Sequence, residues 1–344
     1  SAMSFSQNVE SPLTGGSVPK IADVSPLDCP EKTRAFVEAQ FGSAGARWAD
    51  AVPGILQGCI ERWSLSLREI MAGGLCQNIV MLVDANGRPA VLKLGYPDED
   101  QSREQAWLLA SESDQVVHLH ASSQVPLVLL LERITPGTSL LDEIRSNRWR
   151  TSRHAELVLL LLNCQLPLPL DQPAPSHRDM LLEVAREPDS ALPPDLLRLV
   201  RESILLAEKL DDGTFGSACW LHGDLHPSNI LWDGKQAAWR AIDPKGYRGP
   251  PVMALGRYLH NFLDDELESL GQSVSNAARE ALLQERVRVL AREMGQPEAL
   301  LMLTVFIDLV LAVSWSEQSD NQASFERWGH LIQFARAEAL SLSL

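Results

Sequence analysis

The chain has 344 residues, 45% hydrophobic and 22% charged, an ordinary globular composition whose length exceeds the usual single core and predicts two lobes. Its net charge of −15 argues against nucleic-acid binding, which needs a concentrated basic surface, and suits either a cationic small ligand or plain solubility. No run reaches the roughly 20 apolar residues of a membrane helix, no secretory pattern opens the chain, and five scattered cysteines without CxxC pairs point to reduced thiols in a cytoplasm.

Residues 1–30 read as an expression remnant, Ser1 to Met3, and a mobile Ser/Pro/Gly-rich leader. Two helical patterns follow, "EKTRAFVEAQFG" stopping at Gly42 and "ADAVPGILQGCIERW", a helical preface to the first lobe. From Trp63 the texture becomes β-branched and apolar, and three strands are predicted near 64–71, 77–83 and 89–94, the last two joined by the hairpin signal Asp84 to Gly87. "DEDQSREQAWLLASES" reads as a helix with an acidic cap, and residues 115–119 and 127–133 as two further strands. Beyond "TPGTSL" helices dominate, near 139–146, 152–163, 176–186, 193–210, 275–294, 297–317 and 323–341. The expected organisation is a first lobe over 31–134 and a mainly helical second lobe over 135–344, an α+β architecture.

One polar island interrupts the second lobe. "HGDLHPSNIL" is followed ten residues later by "AIDPKG", so that Asp224, Asn229 and Asp243 match H-x-D-x-x-x-x-N with a strand-terminal Asp. Phosphoryl transfer of the kinase type needs these groups. A carboxylate, Asp224, sits beside the acceptor hydroxyl, while an amide oxygen and a second carboxylate, Asn229 and Asp243, suit the hard cations that carry a triphosphate. Trp220, Leu221, Ile230, Leu231 and Trp232 flank the island and anchor it; the alternative is that Asp224 and Asn229 only cap turns.

The first lobe supplies Lys93 on a strand and Glu104 on the next helix, the order in which a kinase lysine is oriented toward the α and β phosphates. Gly73 and Gly74 lie between the first two strands, where a glycine-rich loop would cover phosphates or where a tight turn would serve equally well; the G-x-G-x-x-G spacing and a Walker A sequence are absent. Glu132, Arg133 and Ile134, at the end of the fifth strand, are placed to offer main-chain hydrogen bonds to a nucleotide base.

These segments, with "LLLERITPGTSL" and the late "LAVSWSEQ", resemble the aminoglycoside/hydroxyurea antibiotic-resistance kinases, within the wider aminoglycoside phosphotransferase class. The resemblance runs from about residue 70 to 317, and Asp243-Pro244-Lys245 is what narrows it to this group. It implies a bilobal, protein-kinase-like fold and phosphorylation by ATP or GTP, with Mg2+, of a hydroxyl on a small antibiotic of aminoglycoside or nucleoside type. It assigns Asp224 as catalytic base, Asn229 and Asp243 as magnesium ligands, and Lys93 with Glu104 as the phosphate-positioning pair. His222, His226 and Lys245 are supporting candidates.

One departure stands out. Relatives of this type carry a "GDPAYDLA"-like segment where this chain reads "RGPPVMALGRYL", with Pro250, Met253 and Ala254 in place of the bracing acids. Candidate partners for a cationic acceptor are Asp264 and Asp265, read as lying in a loop, and Asp308, Trp315 and Glu317. A metabolic kinase of the same fold, acting on a sugar, an amino sugar or choline, and a nucleotide-binding pseudokinase-like module are the alternatives.

Overall fold

The computed structural model describes residues 28–71, 78–149, 153–169, 173–186, 192–315 and 321–342. Most of the expected leader, Gly73, Gly74 and Glu317 lie outside them. The chain forms two compact units: the described residues as far as Ser139 together with Leu231–Ile242, and Leu140–Ile230 together with Asp243 onward.

In the first unit the helical preface is one run, α1 (Glu31–Trp63), broken at Gly42, whose φ of 56° and ψ of −132° are non-helical. Five strands, β1 (Leu65–Ile70), β2 (Asn78–Ala85), β3 (Arg88–Gly95), β4 (Leu119–Gln124) and β5 (Leu127–Glu132), form an antiparallel sheet in the order β1-β2-β3-β5-β4. Ile79, Met81 and Val83 on β2, and Ala90, Leu92 and Leu94 on β3, share one core with Val37, Val52 and Leu56 of α1. Because side chains alternate along a strand, Lys93 projects from the opposite face. There it meets Glu104 of helix α2 (Glu99–Ala110), whose cap is the Asp98 carboxylate accepting from the Gln101 N–H at 2.8 Å.

The expected strand at 115–119 is displaced. Val116 makes only an isolated parallel bridge to Ala241, and β4 starts at Leu119. Its sequence, "LHASSQ", is polar because it lies at the sheet edge, so apolar patterning does not report it. A smaller sheet of β6 (Pro136–Ser139), β9 (Ile230–Asp233) and β10 (Ala238–Ala241) completes this unit apart from Ile230.

The second unit holds helices α3 (Leu140–Arg145), α4 (Ala155–Asn163), α5 (His177–Arg186), α6 (Pro194–Leu210), α7 (Leu255–His260), α8 (Leu263–Ser269), α9 (Asn276–Met294), α10 (Glu298–Ser314) and α11 (Asn321–Ala339). Helix α10 is apolar all round and buried from Leu300 to Ser314, with α5, α6, α7, α9 and α11 packed against it. Among the described residues no helix is long and apolar enough to cross a membrane. Strand β8 (Cys219–Leu221) lies between β7 (Gln165–Leu166) and β11 (Tyr247–Gly249).

The divergent stretch and the acids after it are helical, where a loop was expected around Asp264 and Asp265. Pro250 and Pro251 start a 3-10 turn over Pro251–Ala254 that runs into α7, and α8 begins two residues after Asn261. Proline at the first helical positions initiates rather than breaks, since its missing N–H has no partner there in any case.

Candidate active site

The island lies between β8 and β9. His222 leaves β8 with its N–H on the Cys164 carbonyl (3.1 Å), and its own carbonyl accepts from Lys245 (2.6 Å) and Gly246 (3.1 Å). Those two bonds carry the "DPKG" segment back onto the loop. Gly223 has φ +82, and a Cβ there would come within 2.8 Å of the Tyr247 ring; only glycine combines that backbone with that closeness.

Asp224 then turns in. Its N–H donates to His222 Nδ1 at 3.3 Å, its carbonyl accepts from the His226 N–H at 2.9 Å and from Asn229 Nδ2 at 3.0 Å, and Oδ2 faces Asn229 Nδ2 at 3.4 Å. A 3-10 turn, Pro227–Asn229, sets Asn229 five residues on. With its amide nitrogen committed to Asp224, Asn229 keeps its carbonyl oxygen for another partner. His226 is held by Ser228 Oγ (2.7 Å) and stands 3.6 Å from Asp224 Oδ2.

Burial would by itself raise the Asp224 pKa, but His226, then Arg257 and Lys245, hold it well below the usual carboxylate range. Asp224 is therefore ionised at neutral pH. Asp243 sits in the left-handed region, φ 59°, where a non-glycine residue is held only by its surroundings.

In the first unit Lys93 Nζ meets both Glu104 oxygens, at 2.7 and 2.8 Å, with both residues buried. Glu132 ends β5 with its N–H on the His118 carbonyl (2.9 Å) and its carboxylate 2.8 Å from Arg240, while Arg133 is exposed and Ile134 buried. Burial opposes ionisation of Glu132, yet Arg240 keeps its pKa below normal. The fully buried Arg240 also pairs with Asp233 (3.0 Å) and donates to the Val116 carbonyl (2.7 Å), so it ties β10 to β5 and β9.

The acids proposed to meet a cationic acceptor already have partners. Asp264 is bound by Arg279 (2.7 and 2.9 Å) and Arg327 (2.8 Å), and Asp265 by Arg145 (2.8 Å). Asp308 is buried among His177, His260 and Arg257. Trp315 caps α10 and is half-buried.

Sequence reading missed Arg257, His260, His177 and Arg240. One signal was present: Asp308 is the single charge inside the buried run Leu300–Ser314, and such a charge demands a buried partner.

The family model of the aminoglycoside/hydroxyurea antibiotic resistance kinases matches residues 62–319. The chain belongs to this family. The kinase is 28% identical over 239 residues to streptomycin 6-kinase of Streptomyces glaucescens, covering 70% of this chain and 76% of the relative. It is 30% identical over 225 residues to hydroxyurea phosphotransferase of Kitasatospora aureofaciens, covering 64% and 65%. Choline kinase LicA from Streptococcus pneumoniae superposes with a TM-score of 0.54 at 14% identity, over 84% of this chain and 99% of that one. Aminoglycoside phosphotransferase APH(4)-Ia does so with 0.53 at 15%, over 84% and 99%. At such identities the solved structures establish the protein-kinase-like fold, and the family match agrees with the reading of the sequence as a phosphotransferase.

Proposed function

We propose that this kinase moves the γ-phosphoryl of ATP or GTP to a hydroxyl of a small antibiotic of aminoglycoside or nucleoside type, in the cytoplasm and without a phosphoenzyme. The observation that carries the reading is Asp224: a half-buried, ionised carboxylate on a hydrogen-bonded loop, with the Asn229 amide turned onto it. In a loose phosphoryl-transfer transition state the acceptor proton leaves late, so a carboxylate of low pKa acts chiefly by orienting the hydroxyl.

The donor set fits Mg2+. Asn229 has an uncommitted carbonyl oxygen, Asp243 offers a carboxylate on a constrained backbone, and both are hard ligands. Bound there, the cation would offset phosphate charge; Asn229 and Asp243 hold it, and Lys93, fixed by Glu104, steadies the phosphates. Gly73, Gly74 and the main chain of Glu132 to Ile134 are the proposed remaining nucleotide contacts. His222, His226 and Lys245 fix the loop.

For the acceptor, two chemistries follow from the relatives' names: streptomycin, a polycation, and hydroxyurea, an uncharged molecule. Asp264, Asp265, Trp315 and Glu317 remain the proposed acceptor contacts, although the arginine partners of Asp264 and Asp265 reduce the attraction for ammonium groups; Asp308, expected with them, is buried against His177, His260 and Arg257 and has no face left for an acceptor. Incubation with MgATP or MgGTP and each compound should give a mass gain of ~80 Da, one phosphoryl group. Asp224→Ala is expected to lower that rate by about 100- to 10,000-fold; an undiminished rate refutes the reading.

A further inference from the structure

Asp224 presents two oxygens, and they are held differently. Oδ2 faces Asn229 and His226, both on its own loop. Oδ1 faces Arg257 Nε at 3.7 Å, from helix α7. The same Nε lies 3.4 Å from Oδ2 of Asp308, on α10. One guanidinium thus lies between two carboxylates, a half-buried one on the reacting loop and a buried one in the central helix.

Asp308 is fixed from three directions. His177 Nε2, at the start of α5, is 3.2 Å from Oδ1, and His260 Nε2, on α7, is 2.5 Å from Oδ2. Arg257 and His260 are three residues apart, so one face of α7 delivers both to the same carboxylate. Gly256 makes that approach possible: a Cβ there would come within 2.7 Å of the Thr304 carbonyl oxygen and 3.0 Å of Asp308 Cβ. Helix α7 lies as close to α10 as a bare backbone allows, and the reach of Arg257 to both carboxylates follows from that closeness.

We propose that Arg257 is a positioning residue for Asp224, and that Asp308 is the anchor it works from. The inference rests on the reading of Asp224 as the carboxylate that orients the acceptor hydroxyl. The loop's own hydrogen bonds fix the Asp224 main chain and bias one carboxylate oxygen; Arg257 sets the other and so the rotation of the group. Losing that restraint misplaces the carboxylate without touching the nucleotide contacts, and displacement of the order of 1 Å costs about 100-fold in rate.

The test uses the full chain with Arg257→Lys, Asp308→Asn, their double variant and Asp224→Asn. Rates are read with MgATP and streptomycin, with MgATP and hydroxyurea, and for MgATP hydrolysis with water as acceptor. Folded fraction is measured in every sample by thermal melting. The expected result is a fall in kcat of about 10- to 100-fold in each of Arg257→Lys and Asp308→Asn per folded molecule, with KM for ATP within about twofold. The double variant should be no slower than the slower single, because both changes interrupt one chain of contacts. Wild-type kcat in folded Arg257→Lys overturns the proposal, as does a loss accounted for by the unfolded fraction. Full activity in Asp224→Asn instead sinks the reading of Asp224, whatever Arg257 does.

Discussion

At the scale of residues, the chemistry concentrates in groups whose neighbours set their charge. Asp224, half-buried, stays ionised against its partial desolvation because His226, Arg257 and Lys245 surround it. Lys93 and Glu104 form a pair buried on both sides, and removing one partner from such a pair costs about 3–5 kcal/mol. Glu104→Met and Lys93→Met should each lower the urea midpoint, and the double variant should recover most of the loss while remaining inactive. Single variants as stable as wild type would show that the pair carries no such penalty. The spacing of Asp224 and Asn229 was legible because one loop carries both. Lys93 and Glu104 were legible from their order along the chain. Arg257 was not, since its partners lie 33 residues before it and 51 after it.

At the scale of elements, α10 organises the second unit and α7 is seated on it. Burial would raise the Asp308 pKa, but Arg257, His177 and His260 hold it well below normal. His260 is itself pushed down, first by burial. Both groups therefore bind protons more tightly in the unfolded chain. The stability they contribute is present above the unfolded values, about 6.5 for histidine and about 4 for aspartate, and is lost as pH falls below each. Urea midpoints measured from pH 7 to 3 should decline in two stretches, and Asp308→Asn should flatten the lower one; an unchanged slope below pH 4 would contradict this. Helices α7 and α8 escaped the sequence reading because they are only six and seven residues long, whereas α5, α6, α9 and α10 were long enough to show their periodicity. Strand β4 was mislocated because an edge strand need not be apolar.

At the scale of the whole molecule, the charge of −15 predicts that the kinase leaves the electrophoretic mobility of duplex DNA unchanged at micromolar protein and physiological salt; a shift would contradict that exclusion. By itself the sequence determined the α+β class, the first three strands, the longer helices, and the loop carrying Asp224 and Asn229. Those follow from local periodicity and from spacing within one turn. Tertiary structure alone decided that Asp264 is held by Arg279 and Arg327, that Asp265 is held by Arg145, and that Arg257 joins Asp224 to Asp308. The physical reason is common to all three. A buried or half-buried charge needs an opposite charge within a few ångströms, and which residue supplies it depends on how distant elements pack, not on where it stands in the chain.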